Sequence, residues 1–132
     1  MGAVHDTAPT LYFRVGGMPF FEALVDAFYD GVATDEVLLP LYPEQPDLTG
    51  ARHRLTLFLA QYWGGPTTYM EERGHPRLRM RHMPFAIRKA ERDAWYTHMA
   101  AAVRSGGLDE EIEQAMLDYF DNAATHLINS TG

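Results

Sequence analysis

The chain has no cysteine, which excludes disulfide frameworks, thiolate zinc sites, iron–sulfur clusters and cysteine nucleophiles together. Long apolar runs are missing as well. Nothing approaches the roughly 18–20 residues that span a bilayer, and residues 1–9 lack the basic-then-apolar layout of a signal peptide, so a cytoplasmic location is expected. Basic residues are few, 11 Lys and Arg against 18 Asp and Glu, and the net charge of −7 argues against general affinity for nucleic acid or anionic membranes. There is no strand-like alternation, internal repeat or low-complexity tract.

What is present is helical periodicity, in a chain of 132 residues that reads as one domain over residues 10–132. Residues 1–9, small and polar, read as a disordered extension. Between Pro19 and Ala33, the residues Val25, Phe28, Tyr29 and Val32 follow an i, i+3, i+4, i+7 pattern that turns Phe28 and Tyr29 inward. Pro40, Pro43 and Pro46 break the stretch from Val37 to Leu48 into short turns, which contain Tyr42. Thr49 is placed to cap a helix with Ala51, Leu55, Phe58, Leu59 and Tyr62 on one stripe, and Gly64-Gly65-Pro66 stops it. A further helix, Glu91 to Arg104, presents Trp95, Met99, Ala102 and Val103. The last starts near Asp109-Glu110-Glu111 and repeats Ile112, Met116, Tyr119, Phe120, Ala123 and Leu127. The expectation is an all-α fold of four substantial helices, a short one near Thr10 to Arg14 and another carrying His82.

Pro76 suits a first helical turn and Pro84 disfavours helical geometry at Met83, which predicts a short helix from Pro76 to His82. Such a rigidly ended helix suits a single axial ligand for haem iron, with the opposite position left open to a gas. Met80, Phe85 and Ile87 give His82 apolar flanks, and the cluster Arg73, Arg77, Arg79 and Arg81 suits a small anion such as a carboxylate. A lone histidine is more often a surface or hydrogen-bonded residue. The other histidines fit ligation less well: His53 and His75 read as exposed, while His98 and His126 belong to no tight metal-ligand spacing.

Tyr29, Tyr42 and Trp95 read either as core aromatics or as donors aimed at a bound gas, because a buried phenol or indole wants a partner. Ala51, on the stripe leading to Leu55 and Phe58, offers neither hydrogen bond nor steric gating. It either leaves a way in or makes a close helix contact.

These residues resemble the truncated haemoglobins, within them the second group typified by oxygen-avid actinobacterial proteins. The resemblance runs from Leu11 to Ser130 and rests on Val15-Gly16-Gly17, Phe28-Tyr29, Leu41-Tyr42-Pro43-Glu44, the run Phe58 to Pro66, the run Gly74 to Phe85, Glu91 to Trp95 and Leu127-Ile128-Asn129. It implies a two-over-two helical sandwich around haem b, with the first helix nearly lost and the proximal helix reduced to a loop and a short turn. His82 is then the proximal iron ligand, Tyr29 the distal tyrosine, Tyr42 the aromatic of the interhelical corner and Trp95 the distal tryptophan. Ala51 matches the position of the distal histidine of classical globins. Leu55 and Phe58 would line the distal cavity, Arg54, Tyr69, Arg73 and Arg81 would meet the haem propionates, and Leu78 and Met80 would pack on the proximal side. The chain departs from the pattern in its longer N-terminal tail and an extra residue around Gln45-Pro46.

Three functions are carried forward. The first is reversible binding of dioxygen, carbon monoxide or nitric oxide at a pentacoordinate haem, with slow oxygen release, by a monomer or homodimer. The second is a redox enzyme that uses bound oxygen or peroxide, as a nitric oxide dioxygenase or a peroxidase, and draws electrons from a separate reductase because no flavin or nicotinamide motif is present. The third is a haem-free helical interaction module.

Overall fold

The computed structural model describes residues 10–130, so the extension expected over residues 1–9 lies outside the described residues. Seven α-helices and one 3₁₀ turn, with no strand, make up these residues: α1 (Leu11–Arg14), α2 (Met18–Val32), the 3₁₀ turn Leu39–Leu41, α3 (Thr49–Tyr62), α4 (Thr68–Arg73), α5 (Leu78–His82), α6 (Lys89–Arg104) and α7 (Glu110–His126).

The four long helices follow the apolar stripes. α2 buries Phe21, Leu24, Val25, Phe28, Tyr29 and Val32 on one side. α6 opens with the Glu91 carboxylate accepting the Arg88 N–H at 2.8 Å, and α7 opens with Asp109 accepting the Ile112 N–H at 3.0 Å. α2 packs on both α3 and α6, and α6 packs on α7, so the pair α2–α3 lies over the pair α6–α7 as a two-over-two sandwich. Phe28, Met99, Val103, Met116 and Phe120 fill the space between them, each at most 1% exposed. Removing a side chain such as Phe28 from water contributes about 1.5–3 kcal/mol.

The boundaries differ from expectation at four points. Thr49 is the first residue of α3 rather than its cap; the preceding Leu48 makes no capping bond, and Asp47 accepts the Thr49 N–H at 3.0 Å instead. Tyr62 at the end of α3 is 52% exposed and lies against Tyr119 rather than in the core. The polar spacer after Pro66 contains a helix, α4. Finally, α5 starts at Leu78 and not at Pro76, because Arg77 sits in the left-handed region at φ 43°, ψ 52° and breaks the helical path.

Two loops shape the site. After α2, the Asp35 carboxylate accepts the N–H groups of Val37 at 2.7 Å and Leu38 at 3.1 Å, turning the chain toward Tyr42. Beyond Tyr42, the Gln45 N–H donates to the Tyr42 carbonyl at 3.0 Å and the Asp47 N–H to that of Glu44 at 3.1 Å, so the chain runs to α3 through successive turns.

Candidate functional site

An open cavity of about 420 Å³ is lined by the four long helices, α4, α5 and the loops between them. Tyr29, Tyr42, Ala51, Arg54, Leu55, Phe58, Tyr69, Arg73, Leu78, Arg81, His82 and Trp95 all line it. Met80 does not. It is 57% exposed, because at about 100° per residue the i, i+4 pair Leu78 and His82 shares the inward face of α5 and the residue midway between them points away. Phe85 and Ile87, read as flanks of His82, belong to the wall.

Sequence reasoning missed Leu38, Leu41, Arg92 and a whole wall from α7 and the residue that follows it: Tyr119, Phe120, Ala123, Ala124 and Leu127. The signal was present in the i, i+3, i+4, i+7 spacing of Phe120, Ala123, Ala124 and Leu127. A core stripe and a cavity wall share that spacing; the two alanines make the room.

His82 is half-buried, and its Nδ1 lies 2.6 Å from the carbonyl oxygen of Leu78. A carbonyl only accepts, so in the neutral imidazole Nδ1 carries the proton and Nε2 keeps its lone pair. A neutral imidazole oriented through its other nitrogen is the state a metal ligand requires.

On the α2 side the aromatic donors converge. The Tyr29 and Tyr42 rings meet edge-on at 5.6 Å, and Phe28 contacts both Tyr29 at 4.8 Å and Trp95 at 5.3 Å, fixing α2 against α6. Burial, then the adjacent Tyr42, push the Tyr29 hydroxyl far above its ordinary value. Burial pushes Tyr42 up to about 12, against the lowering effect of the neighbouring Tyr29 hydroxyl. Both phenols therefore stay protonated donors. The Trp95 indole makes no hydrogen bond to protein among the described residues. Its donor is available to a guest. Ala51, 7% exposed, adds no polar atom to this side.

The arginines divide by partner. Arg81 donates to the carbonyls of Pro76, Arg73 and His75, bracing the turn before α5. Arg54 pairs with Glu44 at 3.2 Å, whereas Arg73 has no carboxylate partner among the described residues. Arg92 is held by Asp93, Asp121 and Thr125. Away from the cavity, His53 meets Glu72 at 3.0 Å and His98 meets Asp35 at 2.6 Å. No group of three His, Cys, Asp or Glu that would hold a metal occurs among the described residues, and no described helix is long and apolar enough to cross a membrane.

Residues 10–129 match the family model described as bacterial-like globin. The group 2 truncated haemoglobin YjbI of Bacillus subtilis is 41% identical over 115 residues, 87% of this chain and 86% of that protein. Among solved structures, the thermostable haemoglobin of the actinobacterium Thermobifida fusca is 54% identical with a TM-score of 0.89, over 92% of this chain and 98% of its own. The truncated oxygen-avid haemoglobin of Bacillus subtilis is 39% identical with a TM-score of 0.84, over 92% and 100%. The family carries haem and binds diatomic ligands such as oxygen. With an apolar cavity walled by all four long helices and a match over nearly its full length, this chain belongs to the bacterial-like globins and is a truncated haemoglobin of the second group.

Proposed function

We propose that this chain holds haem b in the cavity with His82 Nε2 as the iron ligand, and that Tyr29, Tyr42 and Trp95 hold a captured dioxygen so that its release is slow. The observation that carries this reading is one cavity lined by an imidazole whose Nδ1 is already committed and by three aromatic hydrogen-bond donors. When bound, the haem supplies an iron with one position open to dioxygen, carbon monoxide or nitric oxide.

The chain's own residues do the rest. The Leu78 carbonyl orients the His82 ring. Arg54, Tyr69 and Arg73 at the cavity wall hold the carboxylates of the group, and Leu55 and Phe58 exclude water from its distal face. Arg81 acts mainly on the backbone that carries His82, since its guanidinium is engaged by three carbonyls. Hydrogen bonds to a guest bearing negative charge contribute about 1.5–3 kcal/mol each, so two of them slow dissociation by about two to four orders of magnitude. The oxygen avidity of the truncated haemoglobin of Bacillus subtilis supports slow release here.

A second reading, consumption of bound oxygen or peroxide with electrons from a separate reductase, draws on the same protonated phenols, which would also polarise an O–O bond. Absorption spectra of the haem-supplemented protein and of His82→Gly test the first reading. A Soret band altered by the substitution is expected, and an absent or unaltered one refutes it. Comparing nitric oxide or peroxide turnover with autoxidation then separates storage from catalysis.

A further inference from the structure

The helix that carries His82 has little packing of its own. None of the five residues of α5 is buried, and so short a helix is far below the roughly 12–15 residues at which an isolated helix becomes even marginally stable. Polar tethers set its position. Before it, the Arg81 guanidinium donates to the carbonyls of Pro76 at 2.6 Å, Arg73 at 2.8 Å and His75 at 3.2 Å. Along it, Arg79 donates to the His126 carbonyl at 2.6 Å.

After it, one side chain closes the structure. Asn129, just beyond α7, donates from Nδ2 to the carbonyls of His82 at 3.2 Å and Phe85 at 2.9 Å. Its Oδ1 accepts the Ile87 N–H at 2.9 Å, while its own backbone N–H donates to the Ile87 carbonyl at 2.9 Å. Two carbonyls and one N–H are satisfied at once, which needs a side chain holding both donors and an acceptor. Aspartate in the same shape would turn an acceptor toward two carbonyls.

We propose that Asn129 is a positioning residue for His82. It does not line the cavity; it pins the His82 carbonyl and the loop to Ile87, which limits how far the imidazole can tilt or retreat from a ligand on Nε2. The Leu78 carbonyl sets the rotation of the ring, and Asn129 sets the backbone from which the ring projects. The inference rests on the haem reading above.

The test compares the iron–imidazole stretching band of the ferrous haem protein, by resonance Raman, in wild type, Asn129→Ala and the isosteric Asn129→Asp. The band shifts and broadens in both variants while the Soret band is retained. In His82→Gly filled with free imidazole the tether is already cut, so adding Asn129→Ala leaves the band where it was. A measurement that needs no haem accompanies it: in Asn129→Ala the Ile87 amide of the apoprotein exchanges its hydrogen about tenfold faster, the effect of losing one well-made hydrogen bond. An unmoved band in both variants overturns the proposal. So does an equal shift in the imidazole-filled protein, because the change would then reach the iron without the tether. A wild-type chain with no Soret band sinks the haem reading and this one with it, whereas an altered band in Asn129→Asp alone sustains the proposal if the alanine variant does not fold.

Discussion

Replacing a glycine inside a helix by alanine ordinarily stabilises a protein by about 0.5–1 kcal/mol, because glycine loses more backbone freedom on folding. Gly31 in α2 reverses that expectation. A Cβ there would stand 2.4 Å from Nδ1 of His98 and 3.0 Å from both Cε1 and Cγ, so the imidazole must leave its place. Leaving breaks the 2.6 Å contact between His98 Nε2 and the Asp35 carboxylate. A hydrogen bond to a charged group contributes about 1.5–3 kcal/mol. Offsetting the helical gain, Gly31→Ala destabilises the fold by about 0.5–2.5 kcal/mol, and the melting temperature falls by roughly 4 °C for each of these.

The assay is urea and thermal unfolding of wild type, Gly31→Ala, His98→Ala and the double variant at neutral pH. With the ring gone, the methyl has room, so Gly31→Ala made in the His98→Ala background stabilises by about 0.5–1 kcal/mol. The change of sign between backgrounds is the signature. A Gly31→Ala protein more stable than wild type would refute the steric argument, and equal effects in both backgrounds would show that His98 is not the obstacle.

Other outcomes follow from the same contacts. The Arg88 guanidinium holds the Glu91 carboxyl down to about 2. Because the folded value lies below the unfolded one of 4.5, this contribution is full above about pH 4.5 and is lost as pH falls toward 2. The gap in urea midpoint between wild type and Glu91→Gln therefore narrows from pH 7 to pH 3, and a constant gap counts against it. Trp95→Phe keeps the ring but removes the indole donor, so dioxygen dissociates about tenfold faster in stopped-flow displacement by carbon monoxide; an unchanged rate removes Trp95 from the stabilising set. Arg81→Ala frees the carbonyls of Pro76, Arg73 and His75, and haem passes to an acceptor apoglobin faster than from wild type, while an equal rate would leave Arg81 no part in holding the mount.

The long helices were legible because each buries one face, and burial writes a period of 3.6 into the apolar positions. Phe28 and Tyr29 could be placed on α2, and Trp95 on α6, from that period alone. Short helices leave no such record. α4, with six residues, completes fewer than two turns and reads as polar spacer, and α5 starts at Leu78 because of a left-handed Arg77 that no residue preference announced. Met80 was misplaced for the same reason: its apolar character suggested the interior, but the face of α5 is fixed by His82 and Leu78. The tethers were the least legible of all. A hydrogen bond from Asn129 to the His82 carbonyl joins residues 47 apart through a backbone atom every residue possesses.

The two sides of the cavity are thus built on different physics. Tyr29 and Trp95 stand on long helices locked by apolar packing, both against the fully buried Phe28. Their placement is cooperative with the core and changes only if the core does. His82 stands on a five-residue helix with no buried residue, placed by Arg81, Arg79 and Asn129 through carbonyls. Each of those bonds contributes about 0.5–3 kcal/mol net, the guanidinium ones at the upper end, and can be removed singly without opening the core. Substitutions around His82 can therefore retune the mount of its imidazole one hydrogen bond at a time, whereas cavity-forming changes at Phe28 would disturb stability and both aromatic donors together.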